Sequence, residues 1–74
     1  MFVFLKNQPQ LFPEPLPAKV EEDILSNGVG QVKFQASLWR AKLYSATAQI
    51  AFLKGQTVSI VGREGLTLLV QPGE

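Results

Sequence analysis

The sequence predicts an all-β fold, a small β-barrel, and three observations carry that reading. The stretch Gly55–Pro72, GQTVSIVGREGLTLLVQP, contains two alternating strands joined by a glycine-containing turn. A second alternating pair surrounds Trp39. The chain has 74 residues and no cysteine, so burial of Val, Ile, Leu, Phe and Trp in one domain must hold it together. A domain of this size buries only about 60% of the surface exposed by its unfolded chain.

From the N-terminus, Phe2–Leu5 form an apolar tip that stops at Lys6. No small-residue cleavage pattern follows, so the tip does not read as a signal peptide. A membrane span needs about 20 apolar residues, and no run here approaches that, so no transmembrane segment is expected. The tip either adds a strand or packs on the domain, or it contacts a partner. Pro9, Pro13, Pro15 and Pro17 follow. Each removes an amide donor and holds its neighbour extended, so residues 7–17 are expected to be extended, exposed and outside any ladder. This divides the chain into an N-terminal arm and Pro-rich linker, residues 1–19, and a barrel domain, residues 20–74.

Residues 18–25 fit two templates. Leu16, Val20 and Ile24 lie at helical spacing, while Val20, Glu22 and Ile24 also fit one side of a strand. Asn27, Gly28 and Gly30 then punctuate the chain as residues that accept positive φ. Val32, Phe34 and Ala36 alternate with Lys33, Gln35 and Ser37, after which the phase flips to Trp39, Ala41 and Leu43. A reversal between Gln35 and Leu38 keeps both apolar sets on one core, which predicts a hairpin with Trp39 inside.

Ala46–Leu53 is alanine-rich and fits either a helical turn or a short strand, anchored by Ile50 and Phe52 or Leu53. In the last hairpin Val58 and Ile60 face Leu66, Leu68 and Val70 across a turn at Arg63–Gly65, with Val61 and Leu69 on the other face. Pro72 ends the pairing.

The chemical inventory argues against catalysis. The chain has no His and no Cys, so the commonest general base, the commonest metal ligands and the thiol nucleophile are missing. Ser26, Ser37, Ser45 and Ser59 have no His to activate them. Glu21, Glu22 and Asp23 are adjacent, unlike the spaced ligands of a calcium loop. Gly28 and Gly30 imitate the start of a dinucleotide loop without the βαβ unit it needs. The expectation is therefore a non-enzyme with no catalytic residue, cofactor or metal site. Seven basic against six acidic residues give a formal charge of +1, which lacks the footprint of a dedicated nucleic-acid binder.

Gly30, Val32, Trp39, Arg40 and Ala41, followed by Gly55, Val58, Glu64, Gly65, Leu66, Leu68, Val70 and Pro72, resemble the soluble C-terminal domain of the NfeD family over residues 28–72. The resemblance implies a five-stranded OB-type barrel, here with an extended Pro-rich N-terminal arm. In that family the barrel usually follows membrane-spanning helices and sometimes a Clp-like serine protease domain, and its members are associated with stomatin-like membrane proteins. This chain shows neither addition, and Ala36 stands where family members often carry a turn glycine.

Two functions follow as expectations. The first is a non-catalytic protein-interaction module that docks to a membrane-associated, stomatin-like partner, cytoplasmic or peripheral at the membrane. The second is a weak single-stranded nucleic-acid-binding domain, with Trp39, Tyr44 and Phe34 as stacking platforms beside Lys33, Arg40, Lys42 and Arg63. The candidate surface-binding residues are Lys33, Arg40, Lys42, Tyr44 and Arg63. Strand parity counts against the second function, because Arg40 and Lys42 alternate with Trp39.

Overall fold

Five strands account for the regular structure of the chain in a computed structural model, which describes residues 9–26, 28–44 and 51–73. They are β1 (Gln10–Glu22), β2 (Gly30–Phe34), β3 (Ser37–Leu43), β4 (Thr57–Glu64) and β5 (Thr67–Pro72). They close into a barrel in the order β1-β2-β3-β5-β4. All pairings are antiparallel except β3 with β5. This is the five-stranded, Greek-key order of the OB fold.

The parallel pairing of β3 with β5 puts both two-residue turns, Gln35–Ala36 and Gly65–Leu66, at one end of the barrel. That hairpin end also receives the start of β1. Among the described residues, 23–26, 28–29 and 51–56 lie at the opposite, loop end.

The strand assignment settles residues 18–25, where Val20 continues β1 and is buried beside Val32. It also corrects the expectation for residues 7–17, because from Gln10 onward this segment is part of the sheet. Gln10 and Leu11 pair with Arg63 and Gly62, and Leu16 and Pro17 pair with Ile60 and Ser59. Two features admit the prolines. The register shifts between Leu11 and Leu16, the interval that contains Pro13 and Pro15. Pairing of β1 with β2 starts at Lys19, so the prolines occupy the part of the strand with a ladder on one edge, where a missing donor is tolerated. Residues 13–17 remain exposed, as expected, while Phe12 packs partly against the core.

The core is aliphatic. Val20, Ile24, Val32, Val58, Ile60 and Val70 are fully buried, with Ala18, Ala41, Leu43, Phe52 and Leu68 packed among them. Ile24 and Phe52 exchange backbone hydrogen bonds of 2.8 and 2.9 Å across the loop end. Phe52 is thus the buried anchor of its segment, while Leu53 is exposed and Ile50 lies outside the described residues. Gly30 does not take positive φ. A Cβ there would run into the carbonyl oxygens of Glu22 and Asp23, so glycine is required by the close approach of two chains.

Two buried positions expected at the hairpin end are not buried. Trp39 is 38% exposed and Leu66 is 80% exposed. Trp39 does lie on the core-facing side, opposite Val32. However, β3 joins β5 only over Ala41–Leu43, so Trp39 projects beyond the closed part of the barrel. Leu66 sits within the turn itself, because a register shift between Ile60 and Gly62 extends β4 through Arg63 and Glu64. The turn therefore falls at Gly65–Leu66, one step later than the sequence suggests. Gly65 has a φ of 64°, the first-position glycine of a type II′ turn. At the other turn Gln35 and Ala36 have φ of 53° and 67°, a type I′ geometry held by two residues that resist it.

Candidate partner-binding face

The registers place the candidate binding residues on different surfaces. Directly opposed residues in an antiparallel pair share a face. Lys19 lies opposite Lys33, and Lys33 lies opposite Leu38. Arg40 lies opposite Gln31, which in turn lies opposite Glu22. Alternation then sets Lys19, Lys33, Leu38 and Arg40 on the outer face of β1–β3, away from Val32 and Trp39. All four are exposed, Leu38 at 59%.

Lys42 continues this row but its charge is engaged, because its Nζ forms an ion pair with the Glu64 carboxylate. The pair lies near Leu69, which is 3% exposed although it faces away from the barrel core. Lys42, Tyr44, Glu64, Leu69, Pro9 and Val29 border a surface groove of about 490 Å³. Tyr44 is exposed there, just past the end of β3. Arg63 pairs with Leu68 and Gln10, which puts it on the core-facing side of the sheet at the hairpin end. The five candidates therefore separate: Lys33 and Arg40 share a face with Lys19 and Leu38, Lys42 and Tyr44 line the groove, and Arg63 stands apart.

Sequence reasoning missed Lys19 because it fell in the segment assigned to the arm. It missed Leu38 although a signal existed: an apolar residue standing in the polar phase of its strand.

Charge is distributed unevenly despite the near-neutral total. Glu21, Glu22 and Asp23 line a depression with Lys54 near the loop end. There the Lys54 amide donates to Asp23 Oδ1 at 2.8 Å, so that carboxylate helps to hold the loop. Among the described residues no group of His, Cys, Asp and Glu is placed to hold a metal ion. No helix among them is long and apolar enough to cross a membrane.

The architecture is a closed OB-type barrel with an exposed basic row on one face. The NfeD-like C-terminal, partner-binding domain matches residues 17–72, and the chain belongs to that family. Among solved structures it is similar to the C-terminal domain of stomatin operon partner protein 1510-C from Pyrococcus horikoshii, with 30% identity and a TM-score of 0.67. That match covers 81% of this chain and 86% of the other. No curated protein matches the chain.

Proposed function

We propose that this barrel is a non-catalytic interaction module that docks to a stomatin-like, membrane-associated protein from the cytoplasmic side. The observation that carries the proposal is the match of residues 17–72 to a partner-binding domain. The similar archaeal domain, described as belonging to a stomatin operon partner, supports the choice of partner. The chemistry is consistent with this reading: the exposed side chains are suited to contact, and a chain without His or Cys lacks the commonest general base and the thiol nucleophile.

The test is direct binding of the full chain to a purified stomatin-like protein from the same source, followed by calorimetry or sedimentation. Saturable binding at a defined stoichiometry is expected. Absence of binding at concentrations well above the micromolar range defeats the choice of partner.

The exposure of Trp39 favours a second reading, single-stranded nucleic-acid binding, because it gives a base a ring to stack on. Against it, Trp39 lies on the opposite side of the sheet from Lys33 and Arg40. A base stacked on this ring would be separated from those two cations. Nonspecific binding to oligothymidine is therefore expected to be no tighter than about 10⁻⁴–10⁻⁶ M at physiological salt.

A further inference from the structure

We propose that the partner is received on the outer face of β1–β3, through Lys19, Lys33 and Arg40 with Leu38 beside them, and that this face takes an acidic segment of a protein with an apolar side chain next to its carboxylates. The inference rests on the interaction-module reading and adds to it the surface and the chemistry of what binds.

The first observation is a juxtaposition that does not favour the fold. Lys19 and Lys33 are directly opposite one another on neighbouring strands, and like charges so placed destabilise a sheet. Arg40 adds a third cation on the same face, two residues from Leu38. The ion pair found among the described residues is Lys42 with Glu64, so no described carboxylate is in ion-pair range of these three cations. The nearest acidic residue in these rows, Glu22, is opposite Gln31, which separates it from Arg40. A carboxylate supplied from outside would bridge Lys19 and Lys33 and replace repulsion with charge-assisted hydrogen bonds.

The second observation is Leu38, which is 59% exposed at the β3 end of this basic row, directly beside Lys33 and two residues from Arg40. A free phosphate would neutralise the cations and leave Leu38 in water. A protein segment with an apolar side chain beside its carboxylates would cover Leu38 and pair with the cations at once. The third observation disfavours nucleic acid. Trp39 and Phe34 belong to the core-facing side, and Tyr44 lies beyond the end of β3 in the groove of the Lys42–Glu64 pair. Among the described residues, the basic row thus has no aromatic platform on its own face.

The experiment uses the full chain labelled for amide NMR and a short synthetic peptide of alternating glutamate and leucine. Controls are a lysine–leucine counterpart, oligothymidine and phosphatidylserine vesicles. The acidic peptide should move the amides of Lys19, Lys33, Leu38 and Arg40, and its affinity should fall with salt. The double variant Lys19→Glu, Lys33→Glu should weaken it at least about ten-fold while keeping the wild-type dispersion of amide signals. Arg40→Glu provides a second variant outside the Lys19–Lys33 pair and should weaken binding in the same direction.

Unchanged affinity in both variants, shifts confined to other residues, or tighter binding of oligothymidine or vesicles at this face overturns the proposal. The same variants are then tested against the stomatin-like protein. If that protein binds wild type and double variant equally, the face is wrong and the module reading stands. If the peptide behaves as expected and the stomatin-like protein does not bind, the face stands and the choice of partner falls.

Discussion

The middle of this barrel and its hairpin end are built from similar residues and put to different use. Through the middle, aliphatic side chains are sealed: Val20, Val32, Val58, Ile60 and Val70 are almost completely buried, and Ile24 and Phe52 extend this core toward the loop end with paired backbone hydrogen bonds, beside the exposed Leu25 and Leu53. At the hairpin end, Trp39, Leu38 and Leu66 are left in contact with water. Hydrophobicity does not separate the two groups. What separates them is position in the sheet: Ala41 lies between β2 and β5, whereas Trp39 lies beyond the last rung of the β3–β5 ladder and Leu38 is on the outer face. Burial in so small a barrel follows closure, and residues past the point of closure become available surface.

The largest expected effect is on the sealed part. Ile60→Ala removes a fully buried side chain from the centre of the core and should cost about 2–5 kcal/mol, enough to unfold much of a domain this small. Urea denaturation followed by tryptophan fluorescence checks it, and a cost near zero would mean that the core does not carry the fold. Trp39→Ala tests the other side of the contrast. With 38% of its surface already in water, it should cost about 1–2 kcal/mol, less than a fully buried aromatic of its size. A loss as large as that of Ile60→Ala would show that Trp39 belongs to the core.

The turn between β2 and β3 offers a gain in stability. Ala36 has a φ of 67°, where a Cβ is unfavourable, so Ala36→Gly should stabilise by about 0.5–1 kcal/mol after the extra entropy of glycine is set against the relieved strain. The midpoint of thermal unfolding reads this, and a lower midpoint would contradict the turn geometry. The smallest effect belongs to Leu66→Ser. At 80% exposure the side chain contributes little packing, and stability should change by less than about 0.5 kcal/mol.

The comparison also shows where reading the sequence succeeds. Alternation identified the strands around Val32, Trp39, Val58 and Leu68 and the two hairpins, because a period of two is a local property of the backbone. It placed Val58, Ile60, Leu68 and Val70 on the core side, and so they are. It assigned Trp39 to the correct side of the sheet and to the wrong environment, since a face is decided by parity and burial by what lies above the face. The prolines misled in a similar way. Four of them within residues 9–17 argue against a central strand, and the chain satisfies that rule by giving those residues a single neighbouring ladder and a register shift.

The sequence by itself determined that this is a β protein held by aliphatic burial without cysteine and that its charges nearly cancel. These are matters of composition and short-range periodicity. Only the tertiary structure decided that Lys19 would meet Lys33, that Lys42 would be engaged by Glu64, and that Leu38 would stand among cations. Each depends on which strands become neighbours and in what register. Barrel closure imposes those choices on residues far apart in the chain.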